Sequence, residues 1–217
     1  MKIAVLGTGM VGQTLAAKLV ALRHEVMMGA RSQDNEKAKA FASKSSPFGL
    51  AGDFRAAAAF GEVIFNCTQG TASLSALALA GEEALDGKVL IDVSNPLDFG
   101  HGTPPTLTVA NTDSLGEQIQ RTFPKTKVVK ALNTMWCGLM VDPRMLPEDH
   151  AVFLAGNDNE AKDLVRVLLR SFGWKPAEMI DLGDITASRG TEGMLPLWLR
   201  IWGNTKNGAF NFRIVSS

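Results

Sequence analysis

Short apolar runs recur along the chain at Ile3–Leu6, Glu25–Met28, Val63–Cys67, Lys88–Val93 and Lys127–Leu132, each stopped by glycine or small polar residues. Runs of this kind read as strands buried on both faces. Between them the apolar positions fall at helical spacing. Met10–Leu22 puts Leu15, Leu19 and Leu22 on one face, Asp34–Ser45 carries Ala38, Phe41 and Ala42 and ends at Pro47, and an alanine-rich helix runs from an Asp53 N-cap to Phe60. A further helix reaches Ala80, and Asp113 caps another over Ser114–Phe123. Phe48–Ala51 suits a short edge strand. Strands alternating with helices predict an α/β fold, a Rossmann doubly wound and mostly parallel sheet, with Lys127–Leu132 as its sixth strand.

The pattern changes at Asp142-Pro143 and Pro147. Ala151–Ala155 predicts another strand, Asn157 or Asp158 caps a helix carrying Leu164, Val165, Leu168 and Leu169, and Pro176–Leu182 holds one more short strand. Asp184–Trp202 reads as a loop into a long helix interrupted by Gly190 and Gly193. That helix is apolar on more than one side, so it needs cover on both; the sheet is one supplier, and the same helix of a second subunit is a candidate for the other. Phe210, Phe212 and Ile214 alternate in the tail, as in a strand or an extended arm with one buried face. The chain is expected to divide into a Rossmann domain, 1–134, and a small α/β C-terminal extension, 135–217, that packs on it.

The first strand ends in Gly7-Thr8-Gly9-Met10-Val11-Gly12, the G-x-G-x-x-G spacing. Gly7 turns the chain, Gly9 lets a pyrophosphate approach the backbone, and Gly12 lets helix and strand pack closely. The helix N-terminus then points free N–H groups at the phosphates. A glycine turn that binds nothing is the bland alternative, and the strand, helix and second strand around this motif argue against it. Where an NAD enzyme carries an acid after the second strand, this chain has Gly29-Ala30-Arg31-Ser32 and no acid before Asp34. Arg31 offers a fork and Ser32 a neutral donor to a 2'-phosphate, which favours NADP. The competing reading makes Arg31 a solvated arginine and Ser32 an N-cap.

Later strand ends add candidates. Asn66, Cys67 and Thr68 lie on the path toward the nicotinamide, although Asn66 equally suits a tie between loops and Thr71 a helix cap. Ser94-Asn95-Pro96-Leu97 forms a fixed turn near the cofactor. His101 titrates near neutrality but sits in the loop 100–105 between glycines, so exposure without a catalytic task is the stronger reading. The sixth strand delivers Ala131, then polar Asn133 and Thr134, then Met135 and Trp136, to the edge where a nicotinamide and its redox partner meet. Core packing of Met135 and Trp136 is the alternative.

The 217 residues, 46% of them hydrophobic, support one sizeable core. Zero net charge argues against nucleic acid and against a polybasic membrane patch. The two cysteines, Cys67 and Cys137, lack metal-ligand spacing and only three histidines are present, so no metal centre is expected. No leader and no apolar run of membrane-spanning length is read, which suggests a cytoplasmic protein with reduced thiols. The absence of tyrosine excludes the Tyr-x-x-x-Lys proton donor of short-chain dehydrogenases.

Gly-Thr-Gly-Met-Val-Gly at 7–12, Gly-Ala-Arg-Ser at 29–32, Asn-Pro-Leu at 95–97, Val-Val-Lys-Ala-Leu-Asn-Thr-Met at 128–135 and Ala-Gly-Asn-Asp at 155–158 together resemble the NADPH-dependent F420 reductase family. That family also includes the cytoplasmic oxidoreductase domain of the STEAP metalloreductases. The resemblance implies that Thr8, Gly9, Met10, Val11, Arg31, Ser32, Thr68 and Ala131 contact NADP, and that the loop from Asn133 faces the ring of a redox partner, F420 or a flavin (FMN or FAD). Hydride transfer between stacked rings relies on positioning, so the lack of an acid/base motif is expected and no catalytic residue is assigned. A non-enzymatic NADP(H) sensor and a reductase of a small carbonyl or imine are the alternatives. The latter's relatives carry a larger helical C-terminal domain.

Overall fold

Residues 1–100 and 102–216 are described by a computed structural model; His101 lies outside them. Among the described residues ten strands form in chain order: β1 (Lys2–Leu6), β2 (Glu25–Ala30), β3 (Gly49–Asp53), β4 (Val63–Asn66), β5 (Val89–Asp92), β6 (Leu97–Asp98), β7 (Thr106–Leu107), β8 (Lys127–Ala131), β9 (Val152–Gly156) and β10 (Met179–Asp181). Eight of them make one sheet in the order β10-β9-β8-β5-β4-β1-β2-β3. Six strands, β3 to β8 in that order, run parallel; β9 reverses direction against β8, and β10 runs parallel to β9. This is the doubly wound sheet that the alternating pattern predicts. β6 and β7 pair separately as a small antiparallel ribbon, which the sequence did not announce.

The helices are α1 (Met10–Ala21), α2 (Glu36–Lys44), α3 (Phe54–Phe60), α4 (Gly70–Ala80), α5 (Glu82–Leu85), α6 (Leu115–Thr122), α7 (Cys137–Val141), α8 (Asn159–Phe172), α9 (Ser188–Gly193) and α10 (Leu195–Thr205). Alternate strand residues point to opposite faces. Ile3 and Val5 therefore meet Leu15 and Leu19 of α1, together with residues of α2, α7 and α8, while Ala4 and Leu6 meet α3, α4 and α6. Leu15 and Leu19 are fully buried, and truncating either to alanine costs about 2–5 kcal/mol.

Several local expectations change. Ser114, not Asp113, caps α6: its hydroxyl accepts from Glu117 N, while Asp113 pairs with Arg121 at 2.8 Å. Gln69 occupies the N-cap of α4, so Thr71 already lies inside the helix and does not cap it. Asp158, with Ala161 N as donor, caps α8. Gly190 and Gly193 sit within α9, and the interruption before α10 coincides with Pro196, which has no N–H to give. Only Leu195 of α10 is buried. The tail is an extended arm without a strand ladder; Phe212 O accepts from Ala151 N at 2.9 Å, and Ile214 stays exposed.

Candidate functional site

The parallel strands end at one edge, where β1 passes into the glycine turn. Gly7 has φ +118°, and a Cβ there would lie 2.6 Å from the Cys67 carbonyl oxygen, so only glycine fits. A Cβ at Gly12 would reach within 2.1 Å of the Gly7 oxygen, whereas one at Gly9 would meet nothing within 4 Å. The middle glycine thus faces open space. Helix α1 starts with no side-chain cap and no acidic residue in its first turn. Its first N–H groups are left for an external acceptor, as a pyrophosphate requires.

A cleft of about 430 Å³ opens beside this turn, lined by Gly7, Thr8, Gly9, Arg31, Thr68 and neighbours. Arg31 is exposed at its rim, and among the described residues it makes no side-chain hydrogen bond or ion pair. The nearest acid in sequence, Asp34, is held by Lys39 at 2.8 Å; that hydrogen bond and the lysine charge keep its carboxyl below the ordinary range. Ser32 does not cap α2. Its Oγ accepts from Asp34 N at 3.2 Å in a turn, and Asn35 is the cap, accepting from Ala38 N. A free guanidinium, a hydroxyl and an uncapped helix start suit a phosphorylated dinucleotide.

The ends of β4, β5 and β8 are joined by buried polar groups. Asn66 is fully buried and acts as a tie: its Nδ2 donates to Asp92 at 2.9 Å, and its Oδ1 accepts from Thr68 Oγ1 at 2.7 Å. Thr68 and Cys67 line the cleft and Asn66 does not. Burial, and then the Asp92 charge, push the Cys67 pKa up, so it stays a thiol. After Ala131, Leu132 takes φ +66°, an unusual conformation for a branched side chain that costs on the order of 1–2 kcal/mol and turns the chain sharply. Asn133 follows and exchanges two hydrogen bonds with Asn95.

Ala131, Asn133, Thr134 and Met135 are all buried, and Met135 belongs to the hydrophobic core rather than to an open surface. Trp136 is half-buried and lies over Gly138. The C-terminal arm crosses it, since a Cβ at Gly208 would sit 3.3 Å from Trp136 Cγ. Phe210 in turn stacks on Trp198 at 5.2 Å, and Trp198 on Trp202 at 6.3 Å. Asn95 is half-buried and Met10 exposed. The cleft also takes in Phe54, Ala72 and Leu79, apolar helix residues that carry no chemical signature in the sequence, and the helix caps Asn35 and Gln69. Among the described residues no three His, Cys, Asp or Glu side chains gather for a metal. No described helix is long and apolar enough to cross a membrane.

The family model described as "NADP oxidoreductase coenzyme F420-dependent" matches residues 2–96, the stretch that holds the glycine turn, Arg31 and Asn95. The F420-dependent NADP reductase of Methanocaldococcus jannaschii is 30% identical over 227 residues, spanning 100% of this chain and 99% of the relative. The chain belongs to the F420-dependent NADP reductase family. A presumed F420-dependent NADP reductase from Arthrobacter sp. FB24, known as a crystal structure, superposes with a TM-score of 0.91 at 50% identity, with both chains fully covered. The rat metalloreductase STEAP3 is 29% identical over 205 residues, which is 91% of this chain but 38% of that longer protein. Membership makes the chain an NADP-dependent oxidoreductase on a Rossmann fold.

Proposed function

We propose that this chain exchanges a hydride between NADP(H) and coenzyme F420, with FMN or FAD as the second choice of flat partner. The observation that carries the cofactor choice is Arg31, an exposed cation with no protein partner among the described residues, at the rim of a cleft floored by the glycine turn. A bidentate guanidinium discriminates a 2'-phosphate from a 2'-hydroxyl. The choice of F420 follows the relatives that carry it in their names.

In this reading Gly7, Thr8, Gly9, Met10, Val11 and Gly12 surround the pyrophosphate, and Arg31 and Ser32 take the 2'-phosphate. Thr68 and Asn95 border the nicotinamide end. Ala131 and Asn133, being buried, act as its wall. Thr134 and Met135 support the partner side from beneath, and Trp136 offers the indole surface there. NADPH, when bound, supplies the hydride. The residues named would orient the two rings against each other and exclude water, and positioning of that kind requires no side-chain acid or base.

In the same reading residues 1–134 hold the dinucleotide, and residues 135–217 complete the partner side through Trp136 and the C-terminal arm. Leu197 and Trp202, exposed on α10, suit a homodimer contact. Two unpaired cysteines, Cys67 and Cys137, suit a reducing, cytoplasmic setting.

Calorimetric titration with NADP⁺ and NAD⁺ tests the cofactor assignment. Wild type should prefer NADP⁺, and Arg31→Ala should lose about 1.5–3 kcal/mol toward NADP⁺ while leaving NAD⁺ unchanged. Equal binding of both dinucleotides by wild type would withdraw the 2'-phosphate site.

A further inference from the structure

Lys130, on β8, has a side chain closed off from solvent, and the reading above gives it no task. Its ammonium directs all three protons to acceptors inside the protein, with Nζ 2.7 Å from Asp92 Oδ2, 2.7 Å from the Ser94 carbonyl oxygen and 2.7 Å from Glu192 Oε1. Burial works against the charge, but the two carboxylates and their hydrogen bonds outweigh it and hold its pKa above the ordinary lysine value.

Each partner leads to a different part of the site. Asp92 Oδ1 accepts from Asn66, and Asn66 accepts from Thr68, a lining residue of the cleft. Ser94, whose hydroxyl also donates to Asp92 at 2.6 Å, sets the course of the chain into Asn95. Glu192 belongs to α9, and its oxygens accept from Leu115 N at 2.9 Å and Gly116 N at 3.0 Å. Two carboxylates against one ammonium leave one negative charge, which faces the positive start of α6. A buried ion cluster rarely stabilises more than apolar packing of the same volume. What this one adds is direction: charge-assisted bonds fix where two loops stand.

The geometry points to Lys130 as a positioning residue that, clamped by Asp92 and Glu192, sets the Thr68 and Ser94–Asn95 loops at the spacing needed for hydride transfer and ties them to α9. This rests on the nicotinamide lying at those loops. The 2'-phosphate end, at Arg31, stands outside the network. Disturbing the cluster should therefore loosen the loops and slow transfer while sparing affinity.

The test compares wild type with Lys130→Met and Glu192→Gln, using Glu117→Gln, from the neighbouring Glu117–Arg189 pair, as the control. Hydrogen exchange on the cofactor-free proteins should rise tenfold or more at 66–70 and 93–97 in the two cluster variants and stay within twofold in the control. Calorimetric affinity for NADP⁺ should stay within threefold throughout. Single-turnover oxidation of NADPH by F420 should slow at least tenfold in the cluster variants only. Glu192→Gln keeps the Lys130–Asp92 pair, so it carries the test if Lys130→Met does not fold. Unchanged exchange and transfer in folded Glu192→Gln would overturn the proposal, as would losses matched by Glu117→Gln. A wild type that binds NADP⁺ but oxidises no NADPH with F420 or FMN would instead overturn the hydride-transfer reading and this role with it.

Discussion

Asn95 and Asn133 close on each other across the ends of two neighbouring strands: Asn95 Nδ2 donates to the Asn133 carbonyl at 2.8 Å, and Asn133 Nδ2 donates to Asn95 Oδ1 at 2.9 Å. The pair locks the turn after β5 to the turn after β8. Each bond is worth about 1 kcal/mol net. Asn95→Ala and Asn133→Ala should each lower urea stability by about 1–2 kcal/mol, with less than additive loss in the double variant. Additive losses would show that the two turns are held independently.

Gly70 opens α4 against the same turn. A Cβ at this position would fall 1.9 Å from the Asn95 carbonyl oxygen, and backbone cannot yield as a flexible side chain does. Gly70→Ala should cost about 1–3 kcal/mol through overpacking. Denaturant unfolding gives the magnitude, and a stability equal to wild type would refute the close approach.

The reach of the sequence follows from how local each signal is. The glycine turn lies within one short stretch, and its strand and helix are adjacent to it, so it was legible without tertiary information. Arg31 could be put forward for the same reason, since it follows the second strand directly in the chain. Ser32 and Asn35 are both good caps; Ser32 Oγ is taken up by Asp34 N in the turn before α2, and Asn35 caps the helix. The same ambiguity separates Asp113 from Ser114. Met135 could not be assigned to pocket or core from its type alone, because apolar side chains suit both. The Lys130–Glu192 contact joins distant segments, and only the folded sheet brings α9 to the end of β8.

Acid should weaken the fold at the α6–α9 contact. The Arg189 hydrogen bonds, opposed by burial and aided by Ser114, hold the Glu117 carboxyl below its ordinary 4.5. Its folded-state pKa is lowered, so its contribution is whole above about 4.5 and is lost as pH falls through the folded value. Melting temperatures of wild type and Glu117→Gln should therefore converge as pH falls from about 6 to about 3. A gap that stays constant over that range would contradict the assignment.

Helix α10 exposes Leu197 at 55% and Trp202 at 44% of their surfaces, an apolar face that water alone does not favour. Sedimentation of wild type should give a dimer, and Trp202→Glu should shift the population to monomer with little change in far-ultraviolet circular dichroism. A monomeric wild type at micromolar concentration would leave α10 without that role.

Stopped-flow oxidation of NADPH by F420, with FMN and a ferric chelate run in parallel, tests the central claim most directly. The account predicts rapid, saturable transfer to F420, slower transfer to FMN, and loss of transfer in Arg31→Ala at the same NADPH concentration. A protein that binds NADPH yet reduces none of the three acceptors would contradict it, and would leave a cofactor-binding protein without hydride-transfer chemistry.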